Sequence, residues 1–147
     1  IYNVATNLWF MQDYPEKIIS ECLIGPTGVD ETTSLQLTFK NGVVNQSVAS
    51  FRSQMINDLV IYGETGHIRL HPCFWGSEAV SLVSQDNTET QHCPFDINGF
   101  EYQIRHFEQC LKDGKLESDI MTHRRTLDVL RIMDTARSQH NLYYPDE

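Results

Sequence analysis

Five side chains that could ligate a metal or carry protons lie within one stretch: His67, His71 and Cys73, then His92 and Cys93. Imidazole and thiolate are donors that zinc accepts readily. The spacing works against a shared ion. On a strand His67 and His71 point to the same face, but roughly 13 Å apart at ~3.3 Å per residue. Zinc bonds of ~2.0–2.3 Å do not span that distance, so no metal site is expected.

The run His71-Pro72-Cys73-Phe74-Trp75 is the second candidate. An aromatic wall of Phe74 and Trp75 suits a carbocycle or the apolar face of a sugar. The same two rings could equally cover the end of a sheet as ordinary core, and both readings stand. A third candidate, Thr122 to Arg125, is the densest basic spot and opens a helix, where exposed N–H groups can hold an anion. A solvated helix start is the expected reading. Gly63-Glu64-Thr65-Gly66 sits between two strands and reads as a hairpin turn, not a phosphate loop.

These residues are carried by 147 residues, a single domain by size. The net charge of −9, with eleven Lys and Arg spread along the chain, argues against a nucleic-acid partner. No apolar run approaches the ~20 residues of a membrane span, so no membrane partner is expected. Cys22, Cys73, Cys93 and Cys110 are far apart with no CxxC, and read as reduced thiols of a cytoplasmic protein.

The elements follow from periodicity. Val4, Leu8, Trp9 and Met11 have near-helical spacing over residues 2–11, and Asp13-Tyr14-Pro15 ends that helix. Residues 16–24 read as a strand. Leu35, Leu37 and Phe39 alternate with polar residues, and Asn41-Gly42 is a hairpin signal. Val44, Val48, Ala49 and Phe51 form the return strand. Residues 59–62 with 67–71, then 79–84 with 88–93, make two further pairs. Phe100, Ile104, Phe107 and Leu111 form one helical stripe, closed by Asp113-Gly114. Phe107 is expected to be buried against the sheet. Ser118 or Thr122 caps a last helix with Leu127, Leu130, Met133 and Ala136 as its buried face. The tail HNLYYPDE is expected to be loosely held. The expected fold is α+β: an open, mainly antiparallel sheet of about six or more strands with helices packed on one face.

The chain opens IYNVATNLWFM, without Met and inside an apolar segment, which suggests the C-terminal piece of a longer protein. Four segments carry a resemblance: IYNV at 1–4, PTGVDETTSLQL at 26–37, IYGETGHIRLHPCFW at 61–75 and LKDGKLESDIMTHRRTLDVLRIMDTAR at 111–137. Together they resemble the C-terminal domain of the Gfo/Idh/MocA oxidoreductases, in the dihydrodiol dehydrogenase-like branch. The resemblance implies an NAD- or NADP-dependent parent whose cofactor sits on an N-terminal Rossmann domain. The GxGxxG and Glu-Lys-Pro motifs of that domain are absent from these residues, so the fragment alone is expected to be inactive and to bind no cofactor.

In this branch a tyrosine after Asp-x-Gly-Ile is proposed as the acid/base residue, and Tyr2 matches it. A phenol can exchange a proton with a carbinol oxygen when a nearby cation favours phenolate, and the resemblance puts that cation on the Rossmann domain. It also implies that Phe74 and Trp75 lie near the substrate cleft. The single domain, 1–147, would supply the cleft's far wall for a sugar, cyclitol or dihydrodiol-like alcohol. Its partners would be its own Rossmann domain and a second copy, in a two-fold homodimer through the sheet face. The alternative is a stand-alone carbohydrate-binding or dimerisation module without redox chemistry.

Overall fold

The computed structural model describes residues 1–144. In chain order the elements are α1 (Tyr2–Met11), β1 (Lys17–Ile24), β2 (Asp30–Thr38), β3 (Val44–Ser50), β4 (Leu59–Tyr62), β5 (Gly66–Leu70), a 3-10 turn (Phe74–Gly76), β6 (Ala79–Ser84), β7 (Thr88–His92), α2 (Phe100–Lys112) and α3 (His123–Ser138). They fall into two compact units. Ile1–Gln54 joins the segment from Asp119 onward, and Met55–Ser118 forms the other. All strand pairing is antiparallel. The α+β class stands. The strands are hydrogen-bonded as two ladders, β1-β2-β3 and β4-β5-β6-β7, where the sequence reading takes them as one sheet.

In the first unit, alternation along β2 turns Leu35 and Leu37 to one face. Leu37 and Phe39 pack with Val4 and Leu8 of α1 and Val129 and Ile132 of α3 into one core. The Asn41-Gly42 turn forms as expected. The Gly42 N–H donates to the Phe39 carbonyl and Phe39 N–H to that of Val43, each at 2.9 Å. Gly42 has φ +84°, a left-handed backbone that glycine adopts without a Cβ penalty. α1 stops at Gln12, itself left-handed at φ 52°.

α3 is capped by Thr122, whose hydroxyl accepts from Arg125 N–H at 3.2 Å. Its buried face differs from the expected one. Val129, Ile132 and Ala136 are buried, with Met133 partly so, whereas Leu127 is 50% exposed and Leu130 44%. The two stripes lie side by side, and the Val129 stripe meets α1 and β2. The tail also departs from expectation. Leu142 is buried, and the Tyr144 hydroxyl donates to Asp30 at 2.9 Å. Pro145–Glu147 of that tail lie outside the described residues.

In the second unit, the GETG segment is the β4–β5 turn, closed by Gly63 N–H to the Gly66 carbonyl at 2.8 Å. A Cβ on Gly66 would fall 2.2 Å from the Val83 carbonyl oxygen, so glycine is required there by the neighbouring strand. α2 ends in a Schellman arrangement, with Lys115 N–H on the Cys110 carbonyl and Gly114 N–H on that of Leu111. Phe107 is 63% exposed, not buried, and Phe100, Ile104 and Leu111 are exposed with it. The helix instead buries Glu101 and Cys110. Periodicity defines the apolar stripe, but only packing decides what covers it.

Candidate functional site

Tyr2 is the first residue of α1, in the first unit, and is 59% exposed. The helix begins without a side-chain cap, its first turn closing through Ala5 N–H on the Ile1 carbonyl at 2.9 Å. Phe74 and Trp75 belong to the second unit.

The loop that carries those two rings joins β5 to β6 and is pinned at several points. His71 N–H donates to Ala79 O at 3.2 Å, continuing the ladder past Leu70. Phe74 N–H donates to the Asn57 carbonyl at 3.0 Å. The Ser77 hydroxyl donates to the Ala79 carbonyl at 2.8 Å. Cys73 opens the 3-10 turn with a left-handed backbone at φ 63°, and its carbonyl accepts from Gly76 N–H at 2.7 Å. Phe74 and Trp75 then meet edge to face, 5.3 Å between centroids and 75° between planes. Trp75 is 48% exposed. A half-open indole held by a partner ring is a surface on which an apolar molecular face can rest.

His71 does not stand with His67. Its Nε2 lies 2.8 Å from the Ser81 hydroxyl, which in turn lies 2.8 Å from that of Thr90. His67 faces the ring of Tyr62 at 5.7 Å. Each imidazole thus has its own neighbours. The four cysteines are free.

At Thr122–Arg125 the basic side chains are engaged. Arg124 Nε donates to Asp128 at 2.8 Å, and Arg125 donates to the Ile120 carbonyl and to Gln12 Oε1. A cavity of about 300 Å³ opens beside them, bordered by Asp13, Tyr14 and Asp128 as well as both arginines. Two carboxylates, Asp13 and Asp128, thus face the two guanidiniums across it.

Sequence reasoning missed Phe95 and Glu101. A Cβ added to Gly76 of the aromatic turn would lie 4.0 Å from the Phe95 ring, which faces Tyr102 at 6.1 Å. Glu101 accepts from Ile97 N–H at 2.8 Å and Asn98 N–H at 3.2 Å. Burial opposes its charge, but the backbone donors of Glu101 itself, Ile97, Asn98 and Gly99 outweigh burial and hold the carboxyl below its ordinary range. An acidic residue in the first turn of a helix was the available signal.

The fold and its relatives agree. No family model matches the chain. It overlays the aldose–aldose oxidoreductase of Caulobacter crescentus with a TM-score of 0.77 at 19% identity, over 94% of this chain and 44% of that one. A 3-ketoreductase from Actinomadura kijaniata, solved with TDP-benzene and NADP, gives 0.74 at 20% identity, over 93% and 44%. The fold is thus the α+β fold of Gfo/Idh/MocA-type C-terminal domains. In sequence, the chain is 27% identical to the trans-1,2-dihydrobenzene-1,2-diol dehydrogenase of Xenopus laevis over 142 residues, 92% of this chain and 43% of that protein. It therefore spans less than half the length of the curated relatives it matches. The similarity thus runs over nearly all of this chain and to part of the dihydrodiol dehydrogenases, and the fold is shared with part of solved oxidoreductases.

Proposed function

We propose that this chain is the substrate-side domain of an NAD- or NADP-dependent oxidoreductase acting on a sugar, cyclitol or dihydrodiol-like alcohol. The carrying observation is similarity to dihydrodiol dehydrogenases across nearly the whole chain while spanning only 43% of their length. The dinucleotide is held by a Rossmann domain outside these residues. Trp75, with Phe74 behind it, forms an apolar wall of the cleft and orients the carbocycle. Tyr2 exchanges the proton of the carbinol oxygen as hydride moves to or from the nicotinamide.

The protein works in the cytoplasm as a homodimer. Among the described residues no helix is long and apolar enough to cross a membrane. The dimer reading is supported by apolar side chains on open sheet surface. Ile61, Ile68 and Leu82 are direct cross-strand neighbours and are all exposed. On the other ladder, Ile19, Leu23, Val44 and Val48 are exposed among polar neighbours such as Gln36 and Gln46. A two-fold pairing should bury more than about 1,200 Å² in total. Light scattering on the full-length product tests it, and a strict monomer at micromolar concentration would contradict it.

Reading the coding sequence upstream of the Ile1 codon tests the enzymatic assignment. A strand–GxGxxG–helix signature roughly 120–180 residues earlier, followed by Glu-Lys-Pro, supports it. An initiator codon directly before Ile1 would favour the stand-alone binding module instead.

A further inference from the structure

His106 and Cys110 stand one turn apart on the same face of α2, and the chain after the helix comes back to them. Lys115 N–H on the Cys110 carbonyl at 2.9 Å and Gly114 N–H on that of Leu111 at 3.1 Å reverse its direction. Ser118 then reaches His106, its Oγ 2.8 Å from Nε2. Asp119 is the next residue, so the same contact sets where its carboxylate stands. The ligating atoms of His106, Cys110 and Asp119 all lie within 4.8 Å of one another. All three belong to one continuous stretch of chain, the end of α2 and the loop after it.

The donor set is chemically coherent. Imidazole nitrogen, thiolate sulfur and carboxylate oxygen are the ligand types that zinc accepts. Two ligands of a tetrahedral zinc, a nitrogen at ~2.0–2.1 Å and a sulfur at ~2.3 Å, are about 3.5 Å apart. His106 Nε2 and Cys110 Sγ are 3.5 Å apart. Any wider separation is to Asp119, whose exposed carboxylate closes it by side-chain rotation. Cys110 is buried and His106 half-buried, so this donor pair is held by the packing of the helix.

We propose that His106, Cys110 and Asp119 form a zinc site that clamps the loop after α2 onto the helix. Three protein ligands leave the fourth tetrahedral position to water. On binding, the Cys110 S–H bond breaks and a sulfur–zinc bond forms, with the proton released to solvent. Nothing is oxidised or reduced. The Nε2 lone pair passes to the ion, so the Ser118 hydroxyl gives up its contact with that nitrogen. The site is independent of the oxidoreductase reading, and no step of that reaction runs through it.

Titration of the full-length product with zinc, and with cobalt(II) as a coloured substitute, tests the proposal. Saturable uptake is expected, tighter at higher pH because a proton is displaced. The cobalt form should show a thiolate-to-metal charge-transfer band. That band should survive Cys73→Ser and Cys93→Ser, which change the two exposed thiols, and vanish in Cys110→Ala. Zinc should raise the melting temperature of the unsubstituted protein. Cys110→Ala and Asp119→Asn should each weaken zinc binding by more than about 10-fold and shrink that thermal shift, with the far-ultraviolet circular dichroism unchanged. Should Cys110→Ala not fold, Asp119→Asn, at an exposed position, decides alone. No saturable zinc uptake, unchanged affinity in either folded variant, or an ion held only through Cys73 and Cys93 overturns the proposal. None of these results bears on dinucleotide-dependent activity.

Discussion

The side-chain amide of Gln139 pairs with the backbone of β1 around Ser20 as a neighbouring strand would. Oε1 accepts from Ser20 N–H at 2.8 Å, and Nε2 donates to the Ile18 carbonyl at 2.9 Å. β1 is an edge strand of its ladder, with β2 on one side and no further strand beside it among the described residues. His140 Nε2 also reaches the Ser20 carbonyl at 3.0 Å. The end of α3 thereby covers an edge that would otherwise be open to pairing with other chains. The Ser20 hydroxyl, buried, completes the junction against the Ala136 carbonyl at 3.0 Å and Gln139 Oε1 at 2.8 Å.

Gln139→Ala should therefore cost about 1–3 kcal/mol, because it leaves half-buried backbone groups without partners. Urea unfolding measures it. A loss near zero would show that water replaces the amide without penalty.

The buried face of α3 gives a paired prediction. Ile132 is fully buried, so Ile132→Ala should cost about 2–5 kcal/mol. Leu127→Ala and Phe107→Ala, both at exposed positions, should stay within about 0.5 kcal/mol. Equilibrium melts of the three variants rank the faces. A large loss at Phe107 would mean that the apolar stripe of α2 is covered in solution.

Glu101 predicts a pH dependence. Its folded pKa lies below the ordinary carboxylate value, so its contribution to stability is present above the unfolded pKa of ~4.3 and is lost as pH falls through the folded pKa. Glu101→Gln should melt below the unsubstituted chain at neutral pH, and the gap should close in acid. A gap that persists unchanged at pH 2 would assign the effect to shape, not charge.

Most strands were legible because alternation and turn chemistry agreed. Leu35, Leu37 and Phe39 led into Asn41-Gly42, and each signal supported the other. The helix faces were less legible. α3 carries two adjacent apolar stripes, one through Leu127 and Leu130 and one through Val129 and Ile132, and only packing against α1 and β2 selects the second. Of the candidate site residues, Tyr2 was nominated only through family resemblance, whereas Phe74 and Trp75 also stood out as adjacent aromatic rings. Phe95 was not legible, since the neighbours of its ring include glycines, Gly76 far away in sequence and Gly99 in the next turn of chain, that carry no side chain to signal a contact.

The isolated chain should show no saturable NAD(H) or NADP(H) binding tighter than about 100 μM, or −5.5 kcal/mol, by calorimetric titration. No glycine-rich strand-to-helix turn is present in its sequence. Saturable binding below that limit would move the cofactor site into this domain.

Tyr2 is the proposed acid/base residue of a nicotinamide-dependent reaction. Steady-state kinetics of the full-length gene product, with NAD or NADP and a dihydrodiol or polyol, tests it most directly through Tyr2→Phe. Measurable oxidation by the unsubstituted enzyme is expected, with a kcat lower by roughly 100- to 10,000-fold in the variant, the range of a lost general acid/base. An unchanged kcat in Tyr2→Phe, or a full-length product without dinucleotide-dependent activity on any such alcohol, would contradict it.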